Sequence, residues 1–408
     1  MKQVTFVSAA ARAAGAADPS AGVTPSDTGG WRARTWLGAP APGGLALPPA
    51  HPTAAWLYAP RGVFLGDCEG RDVLVAADTG NHRVMIWNSL PEKDETPCDV
   101  ILGQTDDTSE GPARGAGDTR RGMNLPTGVL VHDGNLIVAD AWHHRVLIYR
   151  GLPTETGAEP DLILGQDGPD DVAPNRGGET CAANSFYWPF GIAVVEGRFY
   201  VADTGNRRVL GWSGGVPDSA DTGPDLILGQ PDPVSREENR GAEPTGSSFR
   251  WPHAICGDGA GLLLIADAGN HRVLGWRPHP DADRDADLVL GQQTLTDGAE
   301  FPYTAQTASM MRFPYAAVMD GGTLAVADTA NNRILLWDGA PSPADGDGPF
   351  AGPAARVLGQ PGFGLNGENH WTGVTPDSLC WPYGLSLRGD RLAVADSGNN
   401  RVVIWSRE

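Results

Sequence analysis

The chain of 408 residues lacks several features that commonly place a protein in a functional class. Its five cysteines are odd in number and form no Cys-x-x-Cys pair, which favours reduced thiols in a reducing compartment over a metal cluster. No stretch approaches the roughly 20 apolar residues that span a bilayer. A Gly-x-Ser-x-Gly elbow and a phosphate-binding glycine loop are also missing, so no familiar hydrolase or nucleotide motif is present.

Basic residues are scarce. The sequence has 30 Lys and Arg against 50 Asp and Glu, a net charge of −20. Proteins that bind nucleic acid neutralise phosphates with Lys and Arg, and an anionic membrane surface repels an acidic protein. We therefore predict neither a nucleic-acid partner nor a membrane partner.

One sequence motif occurs six times in the chain, at intervals of 61 to 68 residues. Each copy reads Asp, two residues, Asn or His, one residue, Arg, an aliphatic residue and, four residues past the Arg, an aromatic. The copies begin at Asp78, Asp140, Asp203, Asp267, Asp328 and Asp396. Their arginines are Arg83, Arg145, Arg208, Arg272, Arg333 and Arg401. A fixed period of this length indicates stacked repeats, so these residues are predicted to be scaffold and the closing aromatics to fill the spaces between repeats.

Each period holds four short aliphatic runs separated by Gly, Asn, Asp and Pro, and none shows a sustained helical period. Such runs predict strands, and four strands repeated radially make a propeller blade. We therefore predict an all-β, six-bladed propeller of four-stranded blades.

A Leu-Gly-Gln element recurs five times, and Trp36-Leu37-Gly38 resembles its core. Residues 34–37 are thus predicted to complete the last blade and close the ring.

The repeated segments ADTGNHRVMIW, ADTGNRRVLGW and ADSGNNRVVIW resemble NHL repeats. The recurring DLILGQ is similar to a bacterial subgroup of these propellers. The resemblance implies a six-bladed β-propeller but no single function, because NHL propellers include protein- and RNA-binding modules, sensor heads and a metal-dependent amidating lyase. Function has to be argued from the site.

The domain organisation predicted from the repeats is a single NHL-type propeller over residues 34–408, preceded by a disordered tail over residues 1–33. A secretory signal is the alternative for the first residues, although Arg12 interrupts a short apolar run. We accordingly expect a cytoplasmic monomer, with export as the alternative.

Positions that differ between copies are the candidates for function. One residue at the start of each innermost strand should face the central channel, and around the ring these residues are Arg61, Thr127, Phe190, His253, Tyr315 and Tyr383. The residues before the adjoining prolines add Trp188, Trp251 and Trp381. This mouth is either a pocket for a peptide or small molecule, or a plug of bulky side chains. Catalytic zinc takes three protein ligands and the ring offers one His, so no metal or other cofactor is predicted.

The hypothesis favoured by these observations is a non-catalytic scaffold that binds a protein or peptide through its long-loop face. The alternative is an enzyme or small-molecule receptor, lactonase- or lyase-like, that uses the channel mouth. Further contact residues are expected in the loops, namely Asn175, Arg176, Asn239, Arg240, His370 and Trp371. We expect His82, His144 and His271, which precede the repeat Arg, to be exposed turn residues.

Overall fold

Six antiparallel sheets of four strands each form the ring of a β-propeller. The computed structural model describes residues 28–39, 49–115, 117–300, 304–343 and 348–408. In that part of the chain all regular structure is strand or short 3-10 turn, with no α-helix. The predicted all-β, six-bladed fold is therefore confirmed. Of the tail predicted over residues 1–33, residues 1–27 lie outside the described part of the chain.

In blades 1 to 5 the strands follow one another in the chain from the innermost to the outermost position, and blade 6 takes its outermost strand from the N-terminal segment. Blade 1 contains β2 (Gly62–Cys68), β3 (Arg71–Asp78), β4 (Arg83–Trp87) and β5 (Val100–Leu102). Blade 2 contains β6 (Val129–His132), β7 (Asn135–Asp140), β8 (Arg145–Tyr149) and β9 (Leu162–Leu164). Blade 3 contains β10 (Pro189–Val195), β11 (Arg198–Asp203), β12 (Arg208–Trp212) and β13 (Leu226–Leu228). Blade 4 contains β14 (Pro252–Gly257), β15 (Leu263–Asp267), β16 (Arg272–Trp276) and β17 (Leu288–Leu290). Blade 5 contains β18 (Pro314–Asp320), β19 (Thr323–Asp328), β20 (Arg333–Asp338) and β21 (Arg356–Leu358). Blade 6 contains β22 (Pro382–Arg388), β23 (Arg391–Asp396), β24 (Arg401–Arg407) and β1 (Trp31–Gly38).

Short 3-10 turns lie on one face of the propeller disc. Six of them connect the second and third strands of the blades, at Thr79–Asn81, Ala141–His143, Thr204–Asn206, Ala268–Asn270, Thr329–Asn331 and Ser397–Asn399. Four more lie in the long loops between blades, at Pro112–Gly115, Pro174–Gly177, Glu238–Gly241 and Glu368–Trp371.

The ring is closed by β1, which pairs antiparallel with β24 from Gly38 opposite Arg401 to Trp31 opposite Arg407. The prediction that an N-terminal strand completes the last blade is confirmed. The strand is longer than the predicted 34–37 and begins at Trp31, because that indole is buried against blades 5 and 6. Gly38 has φ +101°, like the five Leu-Gly-Gln glycines with φ between 82° and 95°, and a Cβ there would lie 2.4 Å from the Asn400 carbonyl oxygen. The N-terminal segment is therefore a sixth copy of that element.

The apolar core is divided into six clusters, and each joins two neighbouring blades. The closing aromatic of each motif belongs to the cluster shared with the preceding blade, as predicted. These aromatics are Trp87, Tyr149, Trp212, Trp276, Trp337 and Trp405. Each blade therefore buries its apolar faces only against its two neighbours.

The repeat Asp and Arg hold the turns together, with both side chains fully buried in all six copies. In the first copy, Asp78 accepts the Tyr58 N–H through Oδ1, and Asn81 and Arg83 donate to Oδ2. The Arg83 guanidinium then donates to three loop carbonyls. A buried ion pair with so many hydrogen bonds has no capacity left for a ligand, which confirms its predicted structural role.

Candidate binding site at the channel mouth

The two faces of the propeller disc carry different loops, because successive strands in each blade run in opposite directions. The loops between blades and the turns that follow the repeat Asp lie on one side, here called the long-loop face. All five large apolar side chains that are exposed among the described residues lie on this face. They are Tyr58, Trp142, Val234, Trp371 and Trp381.

The six residues predicted to begin the innermost strands surround the channel on this face. Four of their rings form a row, in which Phe190 and His253 are 4.3 Å apart, His253 and Tyr315 4.5 Å, and Tyr315 and Tyr383 4.6 Å between centroids. The Arg61 guanidinium covers the Tyr383 ring at 4.9 Å. These side chains narrow the channel, because only about 100 Å³ of space remains at their level.

Above this aromatic row is an open cavity of about 260 Å³. Its walls combine the ring residues with side chains from blades 2, 3 and 4. The wall residues with large or charged side chains are Arg61, Trp142, Tyr187, Trp188, Phe190, Arg207, Trp251, His253, Tyr315 and Tyr383. The mouth is thus both a plug and a pocket: the ring residues form the floor, and the tryptophans form the walls. Trp381 does not line the cavity and lies on the exposed rim, where its indole donates to Glu368 at 3.1 Å.

At five of the six junctions between blades, the residue before the repeat Arg accepts a hydrogen bond from the next blade. A His Nδ1 or an Asn Oδ1 takes the N–H of the residue that precedes the next blade's proline, at 2.8 to 3.2 Å. The acceptor–donor pairs are His82–Leu125, His144–Trp188, His271–Phe313, Asn332–Trp381 and Asn400–Ala59. The prediction that these histidines are exposed is wrong: His144 and His271 are buried and His82 is half-buried, because each ring packs against its neighbouring blade.

All five donors of these bonds have left-handed backbones, with φ between 47° and 55°. That conformation costs an ordinary residue roughly 1–2 kcal/mol. The hydrogen bond from the preceding blade helps to offset this strain. The backbones of Trp188, Phe313 and Trp381 are therefore held in place by an interaction between blades.

The junction between blades 3 and 4 departs from this pattern. Arg207 stands where the other copies have His or Asn, and a guanidinium has no acceptor atom. The Trp251 N–H bonds instead to Asp267 of its own blade at 3.3 Å, and Trp251 is not among the residues with positive φ. Arg207 turns to the Gly205 carbonyl and lies 3.6 Å from Glu238. Because Arg207 and Trp251 both line the cavity, the cavity lies at the one irregular junction.

His253 is neutral at this site, because burial lowers its pKa to about 4. Its Nδ1 lies 2.9 Å from the Trp251 carbonyl oxygen. A carbonyl oxygen only accepts, so Nδ1 carries the proton and Nε2 keeps a lone pair. Burial, and next the neighbouring Tyr383, raise the pKa of Tyr315, which keeps its hydroxyl protonated. The floor therefore offers neutral hydrogen-bonding groups beside the Arg61 cation.

The loop residues predicted as further contacts are divided between structural and exposed positions. Asn175 and Asn239 are buried and exchange side-chain hydrogen bonds with the repeat residues Asn206 and Asn270. These bonds anchor the long loops to the repeat turns and give both asparagines a structural role. Trp371, in contrast, is 69% exposed.

Three wall residues were not predicted from the sequence: Trp142, Tyr187 and Arg207. Trp142 occupies a turn position where the other five copies have Gly or Ala, and Arg207 replaces a His or Asn. Both departures are visible when the repeats are compared. The sequence does not show that position 142 faces the channel mouth or that position 207 faces the next blade, so the roles of these two residues could not be predicted from it.

The described part of the chain lacks two other kinds of feature. It has no group of three or more His, Cys, Asp or Glu side chains placed to hold a metal ion. None of its helices is long and apolar enough to cross a membrane.

No protein-family model and no curated protein matches this chain. Solved structures are similar at low identity. A protein of unknown function from Bacteroides thetaiotaomicron VPI-5482 is 12% identical with a TM-score of 0.48, over 93% of this chain and 76% of that one. A streptogramin B lyase is 12% identical with a TM-score of 0.43, over 88% and 95%. Virginiamycin B lyase from Staphylococcus aureus is 11% identical with a TM-score of 0.40, over 86% and 95%. At these values function has to be argued from the site itself.

Proposed function

We propose that this chain is a non-catalytic binding module of the NHL type, in the subgroup with a repeated Leu-Gly-Gln element, and that it takes a protein or peptide partner on its long-loop face. The observation that carries the proposal is the segregation of all five exposed large apolar side chains of the described residues to that face. Exposed apolar surface gathered on one side of a protein marks an interaction site. Tryptophan is also among the residues that contribute most to binding energy at interfaces.

The sequence motifs support the NHL assignment through their structural roles. The repeat Asp and Arg form one buried network in each blade, together with the repeat Asn or, in blade 2, with His143. The Gln of the Leu-Gly-Gln element is buried, and its amide donates to carbonyls of both the turn and the long loop, as Gln104 does to Asn81 and Gly111. Both motifs therefore stabilise the scaffold, which leaves the long-loop face free to vary.

The net charge of −20 supports the further proposal that the partner is neither nucleic acid nor an anionic membrane. We also propose that the chain acts as a cytoplasmic monomer. Size-exclusion chromatography with light scattering tests the oligomeric state, and fractionation of the host cell tests the compartment.

The experiment that tests the function is affinity capture from a lysate of the host, followed by reconstitution with the purified candidate. A triple variant, Trp142→Ser, Trp371→Ser and Trp381→Ser, should lose the partner and retain its fold. The control variant Glu92→Ala with Lys93→Ala changes two exposed residues on the opposite face and should bind normally. A partner that binds the triple variant as tightly as the wild type would refute the proposal.

The second candidate is an enzyme or small-molecule receptor that uses the channel mouth. It is supported by the Nε2 lone pair of His253 and the Tyr315 hydroxyl, which provide a proton acceptor and a donor in one cavity. An enzyme of this kind should lose its activity on Tyr315→Phe with an unchanged melting temperature. A binding scaffold should tolerate that change.

A further inference from the structure

We infer that the channel-mouth cavity binds the free carboxylate of a peptide's C-terminal residue, with Arg61 as the group that recognises it. The inference rests on the proposed function and specifies which part of the partner enters the cavity.

Arg61 is a cation that has no anionic partner among the described residues of a strongly acidic protein. Its side chain forms no ion pair and no hydrogen bond with any described residue. Its Nε atom is buried and unsatisfied, and the guanidinium rests on the Tyr383 ring. A partly buried charge that lacks a counter-ion is unfavourable. The six repeat arginines differ in this respect, because each is paired with an Asp.

The charged side chains that line the cavity are all cationic. Two arginines, Arg61 and Arg207, line it, and no Asp or Glu does, although the chain has 50 acidic residues. Arg207 lies near Glu238, so Arg61 is the wall cation with no anion among the described residues. His253 and Tyr315 next to it are neutral. The floor is therefore complementary to a single negative charge.

The shape of the cavity favours an anion that carries an apolar body. Trp142, Trp188 and Trp251 provide aromatic walls above Arg61. The volume of about 260 Å³ is just below the range of roughly 300–1,000 Å³ that is usual for whole small ligands. A C-terminal residue with a bulky side chain brings a carboxylate and an apolar group together, whereas an internal Asp or Glu brings no apolar body. An Arg binds a carboxylate through two parallel hydrogen bonds.

A pair of probes isolates the role of the charge. N-acetyl-L-phenylalanine and its amide differ only in the carboxylate, and titration calorimetry with the full chain measures both affinities. The acid should bind about tenfold more tightly than the amide, or better, because hydrogen bonds to charged groups are the stronger ones. Equal affinities, or no saturable binding of the acid, would overturn the inference.

Variants of the protein locate the recognising group. Arg61→Met should bind both probes equally, and Arg61→Lys, which keeps the charge but not the planar fork, should show an intermediate preference. Lys93→Met makes the same charge change at an exposed residue on the opposite face and should behave like the wild type. A preference for the acid that persists in Arg61→Met would also overturn the inference. The melting temperature of each variant verifies that its fold is intact.

The captured partner separates this inference from the proposed function. If the partner requires the three exposed tryptophans yet binds equally well with an amidated C-terminus, the proposed function stands and the inference is wrong. If the acid probe is preferred but no protein is captured, the proposed function is wrong and Arg61 recognises a small apolar carboxylate instead.

Discussion

Five junctions between blades share one device, and the junction between blades 3 and 4 lacks it. At the five, a His or Asn of one blade accepts a backbone N–H of the next and supports a left-handed residue before the proline. At the sixth, Arg207 has no acceptor to offer, and Trp251 keeps an ordinary backbone. One substitution in a repeated motif therefore changes the geometry at a single point of the ring.

The cavity lies at that point, between the irregular junction and the tryptophans of blades 2 and 3. Repeats supply the rigid scaffold, and a local departure from the repeat supplies the site. In a propeller of this kind, the functional site is therefore expected at the repeat copy that departs from the common pattern.

The first test has the largest expected effect and concerns the closing seam, which is the pairing of β1 with β24 in blade 6. It asks whether this seam is as strong as the pairing of β5 with β4 in blade 1. Leu37 of β1 lies opposite Val402, just as Leu102 of β5 lies opposite Val84, and both leucines are fully buried. Leu37→Ala and Leu102→Ala should each lower the free energy of unfolding by about 2–5 kcal/mol, the usual cost of such a cavity. Denaturant unfolding measures both values. A much smaller cost at Leu37 would show that the seam is not an integral part of the ring.

A second test converts a regular junction into an irregular one. His144→Arg removes the acceptor for the Trp188 N–H and should lower the free energy of unfolding by about 1–3 kcal/mol, the cost of an unsatisfied buried donor. His144→Asn is the matched control, because Asn332 and Asn400 provide the same acceptor at other junctions. The control should unfold close to the wild type. If both variants lose equal stability, packing of the imidazole and not its lone pair supports the junction.

Lowering the pH should destabilise the junctions in which His is the acceptor more than those in which Asn is the acceptor. Burial lowers the pKa of His144 and His271 to about 4, below the unfolded value near 6.5. The unfolded chain therefore takes up protons first, so stability is complete above about pH 6.5 and falls as the pH drops towards 4. Protonation also removes the Nδ1 acceptor. A variant with Asn at positions 82, 144 and 271 should show a shallower loss of stability in this range, measured by urea unfolding at stepped pH.

The sequence predicted the parts of this molecule that repeat. The period, the spacing to each proline and the Trp36-Leu37-Gly38 segment predicted six blades and the closing strand, because each rests on several equivalent residues. The ring residues were also placed correctly around the channel. The role of His82, His144 and His271 was missed, because their bonding partners lie 42 to 44 residues away in the next blade. His and Asn are interchangeable there only as acceptors, and that property emerges when the neighbouring backbone is in view.

The last test makes the irregular junction between blades 3 and 4 regular, and it should change stability the least. Arg207→His supplies an acceptor for the Trp251 N–H and should draw Trp251 towards the left-handed backbone of its counterparts. The new bond contributes about 0.5–1.5 kcal/mol and the strain costs roughly 1–2 kcal/mol, so the free energy of unfolding should change by about 1.5 kcal/mol or less. The wall formed by Trp251 would move, and affinity for the acid probe should fall although Arg61 is intact. Arg207→Met removes the same charge without adding an acceptor, and it should keep the geometry of Trp251 and most of the affinity. If the two variants bind the probe equally well, the missing acceptor at position 207 is not what shapes the cavity.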